Sequence, residues 1–321
     1  MTLKIRYESE SFPANAPIVN GVETLTTTWD DLLWAAITVG RPNRQYVFRH
    51  GIASSYEALF RLSLIRMALE ENGIRTKRLQ RTSAARTLDP SEKGAVNYFL
   101  GLAIYKLFAA QLLNVPWMLH LDVFRPLLNP VLTGRSRPDL IGEMVGGGWV
   151  ALECKGRLSS PDTATKSKAK AQAQRLVSIN GTAPVLHIGG IAYFKNEFLQ
   201  FFWIDPESNP NVSNPISVEV PPDVWRHYYT PILNLIHSDP EISQRMRHDP
   251  ILLPVSQADI EIGIHPLVLD ALEHSHWQDA RLFAQFTKGL IEPLRYRDDG
   301  IAIIAGESWK RRFTEADQEE R

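Results

Sequence analysis

Hydrophobic positions divide the chain into three stretches with different rhythms. In the first, Trp29 to Val39 and Ser55 to Asn72 read as helices, the second carrying apolar Leu59, Leu62, Ile65, Met67 and Leu69 and stopping at Gly73. Residues 1–88 therefore predict a mainly helical N-terminal region. Its end, Arg75 to Arg86, holds Arg75, Lys77, Arg78, Arg81 and Arg86 with no acid, a positive connector that either touches phosphates or stays solvated.

From Asp89 the rhythm changes. Asp89-Pro90-Ser91-Glu92 is a helix start, with proline early and acids in the first turn, ahead of an apolar helix to Leu113. Val115 to Phe124, Arg137 to Met144 and Gly148 to Lys155 read as strands, the last two joined by a glycine turn through Val145-Gly146-Gly147. Thr163 to Asn180, rich in Ala, Lys and Gln, reads as a helix closing at Asn180-Gly181, and strands follow at Pro184 to Phe194 and Leu199 to Ile204. This order over residues 89–205 predicts an α/β core with a mixed central sheet flanked by helices.

Beyond Asp205 the prolines Pro206, Pro210, Pro215, Pro221 and Pro222 mark a long connection into a mainly helical C-terminal region, residues 206–321. Helices are expected near Asp223 to His237, Pro266 to His274 and Trp277 to Leu290, with a short strand at Gly300 to Ala305.

Composition adds limits. The 321 residues, 44% hydrophobic and 22% charged, suit a folded protein, and 35 Lys and Arg against 36 Asp and Glu leave no global attraction to a polyanion, so any nucleic-acid surface must be local. The single cysteine, Cys154, forms no intramolecular disulfide, and MTLKIRYESE lacks the apolar run of a secretory signal, so a cytoplasmic home is expected. Asn97, Lys106 and Gln111 interrupt the most apolar stretch, which reads as a buried helix rather than a membrane span. The context of Gly146-Gly147-Gly148, followed by Trp149 and a strand, is wrong for a dinucleotide loop.

The chemistry gathers on the hairpin. Side chains two apart on a strand share a face, so Glu153 and Lys155 point one way and Cys154 the other, toward the core. A three-residue loop pairs Met144 with Gly148, and counting back sets Asp139 opposite Glu153. Two carboxylates so placed repel unless a hard divalent cation sits between them, and Mg²⁺ accepts a few carboxylates plus water and phosphate oxygens. A lysine beside them can orient or deprotonate an attacking water and stabilise a developing oxyanion. The bland alternative is a surface hairpin with three ordinary solvated charges.

Arg-Pro-Asp139-Leu-Ile-Gly followed by Ala-Leu-Glu153-Cys-Lys155-Gly resembles the PD-(D/E)xK, or restriction-endonuclease-like, nuclease superfamily, in both motifs, the hairpin between them and the element order of residues 89–205. The resemblance implies a restriction-endonuclease-like core in which Asp139 and Glu153 bind Mg²⁺, or Mn²⁺ in its place, and Lys155 serves the water, to cut DNA more often than RNA. Many members add an acid from the first core helix. Glu92 has a comparable place, as a catalytic or second-metal group or as a first-turn acid favoured by the helix dipole. Some members carry a glutamine on the helix after the lysine strand, for which Gln172 and Gln174 are the candidates, although neither opens a Gln-x-x-x-Tyr pattern.

Arg135, Arg137 and Arg157 surround the motif as phosphate-binding candidates, and Asp122 is a weaker candidate ligand. Lys166, Lys170 and Gln174 share a helix face that either lines the phosphate path or is solvated. Superfamily habit makes restriction or anti-phage defence, with an activating protein partner or a homo-oligomer, the expected setting. The rival expectation is a catalytically silent module that binds nucleic acid or assembles a complex on the same fold.

Overall fold

The structure is a computed structural model and describes residues 2–39, 52–122, 125–128, 137–205, 212–237, 239–287 and 296–311. In chain order the elements are β1 (Thr2–Glu10), β2 (Gly21–Thr28), α1 (Trp29–Thr38), α2 (Ile52–Ala68), β3 (Leu69–Asn72), α3 (Gly73–Thr76), β4 (Arg78–Arg81), α4 (Ser83–Thr87), α5 (Pro90–Leu113), β5 (Trp117–His120), α6 (Arg125–Leu128) and β6 (Leu140–Glu143). Next come β7 (Trp149–Gly156), α7 (Thr163–Ala173), β8 (Leu176–Ile179), β9 (Leu186–Lys195), β10 (Phe198–Ile204), β11 (Ile216–Val218), α8 (Arg226–Ile236), α9 (Pro240–Met246), β12 (Leu253–Val255), β13 (Ile260–Ile264), α10 (Pro266–Glu273), α11 (Trp277–Thr287) and β14 (Ile301–Ala305).

The predicted mixed central sheet flanked by helices is present and is larger than its core. Among the described residues nine strands join in the order β2-β1-β4-β10-β9-β7-β6-β5, with β3 on β4 and β1 also on β10. Strand β6 runs antiparallel to both β5 and β7, β7 runs parallel to β9, and β9 and β10 form an antiparallel hairpin. Strand β1 adds parallel to β10, Arg6 to Gln200 through Glu10 to Ile204.

The N-terminal region is thus corrected from mainly helical to mixed, since it contributes β1 to β4. Leu3 and Ile5 are fully buried by alternation, which a strand achieves only against a sheet. The helix expected to Asn72 ends at Ala68, where Leu69 to Asn72 turn into β3, and the basic connector contains β4, with Leu79 buried. The helix expected to Asn180 stops at Ala173, because Leu176 and Ile179 are buried in β8, paired with β11. In the C-terminal region the expected helices appear as α8, α10 and α11 and the late strand as β14, but β12, β13 and β14 form a separate three-stranded sheet, so that region too is mixed.

Helix α5 covers one face of the central sheet. Asp89 caps it, accepting hydrogen bonds from the Ser91 and Glu92 amides, and its length from Leu100 to Ala110 is buried. By length and composition it is one helix, among the described residues, able to cross a membrane, yet 78% of its apolar window is buried inside the fold. It packs against the α5-facing side chains Cys154 and Phe201, with Tyr105 edge-on to Phe201 at 5.6 Å. Helix α7 covers part of the other face, over the small cluster Ala169, Ile191, Tyr193, Phe202 and Ile204. Gly189 permits that approach, since a Cβ there would lie 2.9 Å from the Ala169 carbonyl carbon.

Candidate active site

Glycine geometry sets the site. Gly146, Gly147 and Gly148 all have positive φ, 91°, 95° and 97°, where a side chain is strained, and the Met144 amide donates to Gly148 O at 3.0 Å. The register that follows pairs Leu140 with Leu152, so Asp139, one residue earlier, lies across from Glu153 as counted from the turn. The Cys154 amide donates to Asp139 Oδ2 at 2.9 Å and ties the carboxylate to the neighbouring strand.

Glu153 pairs along the sheet with Gly189, whose open side meets α7, so Glu153 and Lys155 project to the α7 face while Cys154 is buried against α5. Glu153 is only 2% exposed. Lys155 Nζ donates to Glu153 Oε1 at 2.5 Å and to Gln172 Oε1 on α7 at 2.8 Å. The second oxygen, Glu153 Oε2, is buried, receives no donor from the protein, and faces the Asp139 carboxylate, with which it can share a hydrogen bond only through a proton held by one of the two acids. An unpaired acceptor so deep is costly, which makes it the most informative atom of the site.

Burial, then the Asp139 charge, pushes Glu153 up to about 8, with Lys155 acting in the opposite direction. Burial likewise raises Asp139, against the downward pull of the Cys154 amide and of Lys155. The Cys154 thiol is driven well above its ordinary value by burial, which leaves it inert as a nucleophile.

The remaining candidates fall differently. Gln172, weighed beside Gln174, is the glutamine that reaches Lys155; Gln174 is the C-cap of α7, two residues on and turned by roughly 200° on a helix, so it does not share that contact. Glu92 is exposed and its carboxylate accepts from the Asp89 amide at 3.2 Å in a capping box, so the helix-start role is filled and no contact joins it to the triad among the described residues. Arg137 is engaged by Asp122 in an ion pair, which removes both as free ligands. Lys166 pairs with Glu10 at 2.9 Å and lies over the Phe202 ring at 3.7 Å, so it packs α7 onto the sheet rather than lining an open path. Arg157 is exposed just past the strand end, Lys170 is half-buried on α7, and Arg135 lies outside the described residues.

Neighbouring polar groups were not singled out from sequence. His120 ends β5 and pairs with Leu140, with its Nε2 3.3 Å from Tyr98 Oη and its Nδ1 buried without a partner. Burial lowers His120 to about 4, so its imidazole is neutral at physiological pH. The only signal in the sequence was its position two residues before Asp122, too weak to separate it from a core histidine.

The chain matches no protein-family model, no curated protein and no solved structure. Among the described residues no group of three or more His, Cys, Asp or Glu side chains converges on a metal position. Asp139 and Glu153 offer hard oxygen donors, one of them orphaned, a set that suits a cation completing its shell with water and phosphate and does not suit zinc, which seeks nitrogen or sulfur.

Proposed function

We propose that this chain is a Mg²⁺-dependent nuclease that hydrolyses nucleic-acid phosphodiester bonds on a restriction-endonuclease-like core. The observation that carries the reading is the buried, unpartnered Glu153 Oε2, facing Asp139 and flanked by a lysine held at both sides. Two buried carboxyls held face to face are relieved either by a shared proton or by a cation, and a divalent cation that satisfies both without the proton supports the metal reading. Asp139 and Glu153 would hold Mg²⁺, or Mn²⁺ in its place, which when bound supplies charge neutralisation at the phosphate and a more acidic water.

The chain's own residues supply the rest. Lys155, fixed by Glu153 and Gln172, presents N–H donors to a non-bridging phosphate oxygen or to the attacking water. Asp139 is pre-set by the Cys154 amide, so little reorganisation precedes the reaction. With the thiol of Cys154 on the far face, direct attack by water, without a covalent enzyme intermediate, is the chemistry the residues support. DNA is preferred over RNA as substrate, and restriction or anti-phage defence with an activating partner or self-association as the setting, both resting on the resemblance of the two motifs.

Purified protein should cut supercoiled plasmid, linear duplex, single-stranded DNA or RNA with Mg²⁺ or Mn²⁺, and stop cutting with chelator or in Lys155→Ala. Cutting that survives both chelator and Lys155→Ala would refute the assignment, and cutting of none of the four substrates would favour the silent binding module.

A further inference from the structure

Past the edge of α7, the same face of the sheet opens into a polar groove of about 250 Å³ lined by Arg6, Arg78, Tyr193, Lys195, Phe198 and Gln200, with Glu8 as its acid. Register fixes the side: Arg6 pairs with Gln200, Tyr193 with Gln200 and Lys195 with Phe198, and all share parity with Phe202, which lies under α7. Lys155 pairs with Ile191 on β9, so Tyr193 and Lys195 follow the catalytic lysine's neighbour along one strand. Two residues of strand span about 7 Å, close to one nucleotide step of an extended backbone.

The basic charges of this groove are not neutralised by ion pairs among the described residues. Arg6 and Lys195 are exposed, and neither they nor Arg78 enter an ion pair among the described residues. Arg78 rests its guanidinium over the Phe198 ring at 3.8 Å, which holds it rigidly in the groove. Arg6 stands near enough to Arg78 to lower its pKa, after burial itself, so two like charges crowd one concavity. Elsewhere on this face Lys166 is neutralised by Glu10. An anion between the guanidiniums removes that repulsion.

We propose that this groove binds the phosphodiester backbone of the nucleic-acid strand whose scissile phosphate lies at Lys155, with Arg6, Arg78 and Lys195 as phosphate contacts. The assignment rests on the nuclease reading for the identity of its ligand. It also explains how a chain of net charge −1 holds a polyanion, through a local track on one sheet face.

The test measures anisotropy of a fluorescein-labelled single-stranded oligonucleotide in chelator, beside metal-dependent cutting of the same oligonucleotide and of a thymidine dinucleotide too short to enter the groove. Arg6→Ala/Arg78→Ala/Lys195→Ala should weaken binding on the order of tenfold at moderate salt and reduce the slope of log affinity against log salt by about two. Its KM for the oligonucleotide should rise with kcat retained, and dinucleotide cutting should be unchanged. Arg6→Gln/Lys195→Gln, confined to exposed positions, should shift binding in the same direction and guards against misfolding of the triple variant.

Unchanged affinity and salt slope in both variants, or no binding by the wild type, overturns the proposal. Competition by inorganic phosphate beyond that of chloride at equal ionic strength would assign the groove to free phosphate and overturn it as well. If the wild type binds and the variants lose binding while nothing is cut, the groove stands and the nuclease reading falls; if the wild type cuts and the variants bind and cut alike, the reverse holds.

Discussion

Two places in the protein enclose a lysine and a carboxylate, and they treat them differently. Between α1, α5, α8 and the approach to β14, Lys106 donates to Pro116 O and to Tyr228 Oη at 3.0 Å, and Tyr228 Oη donates to Asp299 Oδ2 at 2.6 Å. Trp34 Nε1 reaches the same oxygen at 2.8 Å, the Ile301 amide satisfies Asp299 Oδ1 at 3.0 Å, and Tyr229 Oη covers the Asp299 carbonyl at 2.9 Å. Every acceptor of that network is used. At the hairpin, Glu153 is buried as thoroughly and Oε2 is left without a partner.

On the proposed function, the difference separates a structural buried charge from one kept for a ligand. Saturated polar networks fix packing, and this one ties residues from the N-terminal, core and C-terminal stretches into a single folded unit. An unsaturated one costs stability in the free protein and recovers it on binding. Substitutions in the two centres should therefore have opposite signs.

Glu153→Gln is the sharpest test. If Glu153 holds the metal as proposed, the variant should lower cutting by on the order of a thousandfold or more, while raising metal-free stability by about 0.5–2 kcal/mol. The pH dependence follows from the folded value of about 8 against an ordinary 4.5. The folded state keeps a proton that the unfolded state releases, so this contribution is complete below about 4.5 and is lost as pH rises through about 8. Denaturant titrations in chelator across that window should show stability falling with pH in the wild type and less steeply in Glu153→Gln. A variant that is less stable at neutral pH, with the same slope, would put Glu153 in the structural class.

Lys106→Met is the mirror case. The variant keeps the stem and deletes the ammonium near Asp299, and should cost about 3 kcal/mol in unfolding free energy, with cutting unaffected well below the melting temperature. Burial lowers Lys106 to about 7 and Asp299 works against that shift. Lys106→Met combined with Asp299→Asn should recover part of the loss, since both ends of the mismatch are then neutral. Equal losses in single and double variants would show that the two do not act as one network.

What could be read in the sequence divides along similar lines. The Asp139 to Glu153 register was legible because three consecutive glycines force a local turn, and counting outward needs nothing from the rest of the fold. The orphaned Oε2 was not legible, because burial at Glu153 depends on α7 crossing above Gly189. Strand β1 alternates Leu3, Ile5 and Tyr7 with polar residues, a readable strand pattern, but its partner β10 lies nearly the whole core away: Trp203 Nε1 donates to Ser9 Oγ at 2.6 Å across 194 residues. Helix α7 was overextended for a local reason, since Gln172 to Gln174 are good helix formers and the strand signal in Leu176 to Ile179 spans only four residues.

Gln172→Ala should have a smaller effect than either centre. Its Oε1 accepts from Lys155 Nζ at 2.8 Å and holds the ammonium from the α7 side while Glu153 Oε1 holds it at 2.5 Å. Loss of such a supporting group costs about tenfold in kcat, with KM little changed. Because the role is positional, Gln172→Glu should restore the hydrogen bond and shift the pH profile of kcat, which a purely structural role would leave in place.

The smallest effect is expected at Glu92, where the structure and the resemblance pull apart. The resemblance implies an extra ligand from an acid of the first core helix, yet here the Glu92 carboxylate sits on the Asp89 amide at the start of α5, exposed, in a reciprocal cap. Glu92→Ala should cost about 0.5–1 kcal/mol of stability as a lost cap, with kcat within about twofold, whereas Glu92→Gln should retain most of the cap and the activity alike. A hundredfold fall in kcat at unchanged stability would return Glu92 to the reacting group, and would mean that substrate or metal draws the start of α5 toward Asp139, so that the centre at the hairpin is completed by a third carboxylate only when it is loaded.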